Sequence, residues 1–155
     1  MKGIIVRRAK NEDIPEIMRI VREAFLIYME NGALPSPPTA LFETESEVLE
    51  DLRKKCVLAA EKNGKLSGTL RLDFKNSGAY LSRFAVDPSL HRSGIGKALL
   101  GYAAEEALKN GCTEISLHTS LDAKNLVRLY KANGFNVCEI NTSRGYRRAK
   151  LVKNL

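Results

Sequence analysis

Seven consecutive residues carry the densest chemistry in this 155-residue chain: His91, Arg92, Ser93, Gly94, Ile95, Gly96 and Lys97. An apolar run ending in Phe84, Ala85 and Val86 leads into them through an Asp87-Pro88 turn, and Leu99 and Leu100 open a helical pattern after them. The order of strand, basic glycine-spaced loop and helix gathers helix-terminal N–H groups and basic side chains around one small volume. N–H groups of a first helical turn have no intrahelical acceptor, and the helix dipole is positive there. Such a volume suits a phosphate or diphosphate. Gly94 and Gly96 remove Cβ atoms that would hold an anion away from the backbone. Alone, Gly-x-Gly at such a place also describes an ordinary tight turn. The nicotinamide-dinucleotide fingerprint is excluded, because its third glycine would fall where Leu99 stands.

A second segment reads Asn125-Leu126-Val127-Arg128-Leu129-Tyr130, then Lys131-Ala132-Asn133-Gly134-Phe135. On periodicity alone, Ala123, Leu126, Val127 and Tyr130 share an apolar helical face, and Tyr130 is then a packed tyrosine. The two segments together, in this order, resemble the GNAT family of N-acetyltransferases. Its acetyl-CoA loop reads Arg/Gln-x-x-Gly-x-Gly/Ala, and a later segment reads Asn-x-x-Ala-x-x-Leu-Tyr-x-x-x-Gly-Phe. The chain departs from that pattern in two places. His91 stands where the family usually has Arg or Gln, with Arg92 beside it to supply permanent charge. The spacing from Asn125 to Leu129-Tyr130 is shortened, and the Ala is shifted or absent.

The resemblance implies an acetyl-CoA-dependent N-acetyltransferase moving an acetyl group directly to a primary amine of a small molecule or peptide. It also implies a gap between the strand before the glycine loop and the next parallel strand, where the pantetheine arm lies. Backbone groups of Phe84, Ala85 and Val86 would meet that arm. His91, Arg92, Ser93, Gly94, Ile95, Gly96 and Lys97 would hold the diphosphate, and Asn125 would also contact the cofactor. Tyr130 would be catalytic, giving a proton to the departing thiolate, since a phenol with a reference pKa of about 10 stays protonated at neutral pH. The thioester carbonyl would be polarised by a strand N–H such as that of Val86.

The acceptor amine must lose a proton, and the sequence leaves the base open. Some relatives carry an acid on the strand entering the loop, where this chain has Ser82 and Arg83. Glu43, Glu45 and Glu47 are alternatives, each also readable as a solvated surface acid. His118 has a suitable ordinary pKa near 6.5 but also reads as a satisfied structural histidine. A water chain would serve as well. A non-catalytic acyl-CoA-binding regulatory or interaction module on the same fold is the other reading.

Composition bounds these readings. Hydrophobic residues make up 44% and charged residues 28%, ordinary for one globular domain over residues 1–155. The run Gly3-Ile4-Ile5-Val6 is too short for a signal-peptide core, and no apolar run reaches a membrane span, so a cytoplasmic chain without membrane partners is expected. Cys56, Cys112 and Cys138 are an odd count without Cys-x-x-Cys, read as reduced, mostly buried thiols. With His91 and His118 the only histidines and no ligand spacing, no metal site is expected. A net charge of +7 suits a polyanionic cofactor, a nucleic acid or simply a solvated basic surface. The basic C-terminal stretch Arg144, Arg147, Arg148, Lys150, Lys153 has only Tyr146 as a stacking aromatic nearby, which argues against nucleic acid. A homodimer stays open.

Stepping through the chain, alternation and punctuation predict strands over 2–9, 56–61, 65–74, 79–86, 113–119, 135–140 and 145–152. Helices are predicted from an Asn11 cap to about 29, from the Thr44/Glu47 capping box to about 55, from about 94 to 110 with Gly111 closing it, and from after Ser120 or Asp122 to about 133. The order gives one α+β domain in three layers, a mixed and mostly antiparallel sheet of about seven strands with helices on both faces. The resemblance names it acyl-CoA N-acyltransferase-like. The loop 31–43 and the last two strands are expected to line the acceptor site.

Overall fold

The computed structural model describes residues 3–90 and 92–155. Seven strands form one sheet: β1 (Ile4–Arg8), β2 (Cys56–Lys62), β3 (Lys65–Lys75), β4 (Gly78–Val86), β5 (Glu114–Ser120), β6 (Asn136–Asn141) and β7 (Arg148–Asn154). The helices are α1 (Ile14–Glu30), α2 (Glu45–Lys54), α3 (Ile95–Lys109) and α4 (Lys124–Ala132). The strand order is β1-β2-β3-β4-β5-β7-β6. Every pair is antiparallel except β4 with β5. The expected element order and mixed sheet are both present.

Alternation along β2 explains why helices cover both faces. Cys56, Leu58 and Ala60 join a core with Leu99, Leu100 and Ala103 of α3, whereas Val57 and Ala59 join a second core with Ile17, Ile20 and Val21 of α1. A strand buried on both sides reads as a continuous apolar run, as Val57-Leu58-Ala59-Ala60 does. The Asn63-Gly64 hairpin turn forms with φ of 53° and 82°, both in the left-handed region a type I′ turn needs.

Helix ends show one expectation kept and one corrected. Thr44 accepts the Glu47 N–H at 3.2 Å, and Glu47 accepts the Thr44 N–H at 2.9 Å, completing the capping box. Asn11 is not a cap. It starts a 3-10 turn, Asn11–Asp13, and the Asp13 carboxylate reaches back to the Lys10 N–H at 2.7 Å. Arg7 also ion-pairs with Asp13 at 2.7 Å, so this carboxylate ties β1 to the entry of α1. The last strand begins at Arg148 rather than 145, because Gly145, at φ 84°, donates to Thr142 across a turn that precedes it. Cys56 and Cys112 are buried as expected, but Cys138 is exposed on the edge strand β6.

Two features of β4 set up the site. Its pairing with β5 covers only Gly78–Glu114, Ala79–Ile115 and Tyr80–Ser116. Beyond Tyr80 the two parallel strands separate, leaving the β5-facing edge of β4 without ladder partners. On its other edge the register with β3 shifts between Ser82 and Ala85, and Arg83 sits at φ 52°. A bulge of this kind bends a strand and sharpens its twist, consistent with the divergence of β4 from β5. Among the described residues, no helix is long and apolar enough to cross a membrane.

Candidate active site

Two adjoining cavities lie against β4 where it has left β5. The larger, about 630 Å³, runs from the N-terminus of α3 past Phe84 and Val86 to the start of α4. That is within the range of a drug-sized or cofactor-sized ligand. The smaller, about 230 Å³, lies in the opening itself, between Tyr80 to Phe84 of β4 and Leu117 to Ser120 of β5. Tyr28, Ala33, Phe84, Ala123 and Leu126 border both.

The larger cavity gathers at its outer end the groups that an anion would seek. Gly94 caps α3 at φ 87°, and Arg92, a non-glycine, is held at φ 60°. Left-handed residues interspersed in a loop turn successive N–H groups towards one concavity. Such a conformation costs a non-glycine residue about 1–3 kcal/mol and is typical of ligand clamps. The Ser93 hydroxyl donates to the Leu90 carbonyl at 2.6 Å and pins the loop. The first intrahelical bond of α3 runs from the Ala98 N–H to the Gly94 carbonyl, so earlier N–H groups remain available. Arg92, Lys97, Lys124 and Arg128 add positive charge around the same cavity, and Asn125 borders it while accepting from Arg128 at 3.2 Å.

Several expected contacts take a different form. His91 lies outside the described residues. Ile95 lines the cavity, but its side chain is buried in the core, so only its backbone is on offer. Ala85 does not line the cavity: its side chain packs in the second core. Gly96 borders the cavity, but its smallness answers to packing. A Cβ there would meet Leu129 Cδ2 at 2.9 Å and Phe84 Cζ at 3.2 Å. Gly96 lets α3 approach α4 and β4, while Gly94 takes the left-handed turn that enters α3.

Tyr130 sits at the junction. Only 4% exposed, it lines the smaller cavity, and its ring lies 5.7 Å from those of both Phe84 and Phe135. Burial pushes its phenol well above the ordinary value, with Tyr28 and Tyr80 adding to the effect. The hydroxyl therefore stays protonated at neutral pH.

The acid candidates find other work. Glu43 forms a double hydrogen bond to the wholly buried guanidinium of Arg71, which Asp51 of α2 also binds at 2.8 Å. Arg83 stands 3.5 Å from the same carboxylate. Glu47 serves its capping box, and Glu45 is exposed and borders neither of the two cavities. His118 does line the smaller cavity, and its Nδ1 is 2.8 Å from the Tyr80 hydroxyl. Burial lowers its pKa, and the charges of Arg148, Lys150 and Arg144 push it further down, against a smaller opposing effect of Glu139.

Tyr28, Tyr80, Arg128 and Lys124 also border the cavities, although no motif in the sequence marks them. Tyr28 continues the apolar face of α1 after Phe25, so periodicity hides it in the core. Tyr80 meets His118 only because β4 and β5 are parallel neighbours. Lys124 and Arg128 flank Asn125 on α4, and that was the one available signal. The expected acceptor-side segments do gather at the smaller cavity: Ala33, Leu34 and Pro38 from the loop, Arg144, Tyr146 and Arg148 from the C-terminal end.

The family model for the acetyltransferase (GNAT) family matches residues 15–135, and the chain belongs to that family. The [ribosomal protein bS18]-alanine N-acetyltransferase of Escherichia coli K12 is 32% identical over 79 residues, which are 51% of this chain and 53% of that protein. The chain thus aligns with about half the length of the curated relatives it matches. Among solved structures, the PaiA N-acetyltransferase of Thermoplasma acidophilum in complex with coenzyme A superposes with a TM-score of 0.82 at 20% identity, covering 98% of this chain and 99% of that one. The YncA protein of Salmonella typhimurium, a structure with acetyl-CoA, gives 0.79 at 20% identity, covering 99% and 95%. At these identities the likeness establishes a shared fold, the one expected from the sequence.

Proposed function

We propose that this protein transfers the acetyl group of acetyl-CoA directly to a primary amine. The observation that carries the reading is the opening between β4 and β5, with an anion cradle at one end and a buried tyrosine at the other. The cradle fits the cofactor's diphosphate: Gly94 supplies the left-handed turn, α3 its free N–H groups, and Arg92 and Lys97 the charge. The unpaired edge of β4 beyond Tyr80 fits an extended amide-bearing arm, because exposed strand N–H and C=O groups seek partners. Bound acetyl-CoA supplies an activated acyl group as a thioester.

The chain's residues then have separable tasks. A β4 N–H, such as that of Val86, polarises the carbonyl. The amine nitrogen forms the new C–N bond as the C–S bond breaks. Tyr130 gives its proton to the departing sulfur. The proton lost by the amine goes to His118, directly or through water. His118 suits this because it is held neutral and is oriented by Tyr80.

The reading of the fold as a non-catalytic acyl-CoA-binding module predicts binding without turnover. An assay for free thiol release across amines decides between them. Acetyl transfer predicts amine-dependent release of one thiol per acetylated amine. Release that never exceeds slow hydrolysis, with any amine, favours the binding module.

A further inference from the structure

The larger cavity gathers one group of basic residues, and a second group borders the smaller cavity instead. Arg83, Arg144 and Arg148 line the smaller cavity, together with Tyr80, His118 and Tyr146. Among the described residues, no aspartate or glutamate lines it. Arg83 is partly answered by Glu43 at 3.5 Å. Among the described residues, Arg144 and Arg148 have no carboxylate within ion-pairing distance, whereas neighbouring Arg147 pairs with Asp122 at 2.6 Å. The nearby acid Glu139, on β6, does not border the cavity. Two arginines without a carboxylate partner, Arg148 half-buried and Arg144 exposed at the rim, border a pocket of amino-acid size and offer a site for an oxyanion. Arginine's planar fork matches carboxylate and phosphate in two-point contact.

We propose that the acceptor is a small primary amine that also carries an oxyanion, a carboxylate or a phosphate, held by Arg144 and Arg148. The inference rests on the acetyl-transfer reading above and names its substrate class. The anion docks at the C-terminal turn and β7, and the amine faces His118 and Tyr130. Polyamines are disfavoured, because every added ammonium meets these arginines without a neutralising partner. Burial first, and then the charges of Arg148, Lys150 and Arg144, hold the His118 imidazole below its ordinary value, so the same cations act on a group inside the cavity. A negatively charged substrate offsets that field on binding, which raises the basicity of His118 when the amine arrives.

Matched acceptors test the inference: alanine against alaninamide, β-alanine against its amide, and O-phosphoethanolamine against ethanolamine, with spermidine as the cationic arm. Rates are compared per free amine. At least one oxyanion amine should exceed its neutral partner in kcat/KM by about tenfold or more, the lower end of what a charge-assisted hydrogen bond contributes. The carboxylate and phosphate pairs identify which oxyanion is taken. In the Arg144→Gln, Arg148→Gln double variant that ratio should collapse towards one through a raised KM for the acceptor, with the KM for acetyl-CoA held. Neutral amines or spermidine reacting as well as every oxyanion amine overturns the inference and leaves acetyl transfer standing. So does a double variant that keeps the preference. If no amine in the panel reacts although acetyl-CoA still stabilises the protein, the transfer reading and this inference both fall.

Discussion

The two sides of the β4–β5 opening are built differently. The larger cavity takes its basic end mainly from contiguous chain, the end of β4, one turn, a glycine-spaced loop and the first turn of α3, with α1 and α4 closing the rest. Its chemistry is chiefly backbone N–H groups whose direction follows from helix and loop geometry. The other side is assembled from side chains on α1, the loop after it, β4, β5, α4 and the C-terminal turn. The first can be specified by a short motif with fixed spacing. The second exists only once the sheet has formed, so each of its members can vary independently. One fold can thus keep a common cofactor and change its acceptor.

Tyr130 joins the two sides, and its substitution should have the largest effect. Tyr130→Phe keeps the ring against Phe84 and Phe135 but removes the donor, so kcat should fall by about 10²–10⁴-fold. Acetyl-CoA affinity and melting temperature should hold. Turnover within about twofold of the parent would reduce Tyr130 to packing, for which Tyr130→Ala, at about 3–5 kcal/mol of stability, is the signature.

The second substitution separates packing from anion binding within the cofactor side. Gly96→Ala sets a Cβ against Leu129 and Phe84, and overpacking of that kind typically costs about 1–3 kcal/mol. Denaturant unfolding should show that loss, and acetyl-CoA binding should survive it. A full loss of binding with unchanged stability would return Gly96 to the anion cradle.

These two glycines show how much was legible. The family could be read from the motifs within residues 79–135, and the element order and mixed sheet from alternation, caps and turns along the whole chain, because these are local devices. The separate roles of Gly94 and Gly96 could not, because Leu129 approaches only in the folded chain. Glu43 looked like a free acid beside the acceptor loop until Arg71, 28 residues away, proved to hold it. His118 and Tyr80 are 38 residues apart and meet through strand pairing, which no periodicity encodes.

The smallest effect concerns pH and the acceptor side. The native state holds His118 below its ordinary value, through burial first and then the neighbouring cations. The folded protein therefore binds a proton less readily than the unfolded chain. This contribution to stability is fully present above the unfolded pKa of about 6.5 and is lost as pH falls through the lower, folded value. On acidification from neutral pH, the melting temperature of the parent should fall slightly more than that of His118→Gln. Identical pH profiles would mean that the imidazole is not shielded in the native state.

The central claim is that the α3 N-terminus and the open edge of β4 hold acetyl-CoA. Calorimetric titration of acetyl-CoA into the parent and into Gly94→Glu tests it most directly. Gly94 is at φ 87°, and a glutamate there brings a side chain and a negative charge to the cradle. The parent should bind one equivalent, and the folded variant, verified by circular dichroism, should show no binding. Equal binding by both proteins would contradict the claim and place the cofactor elsewhere.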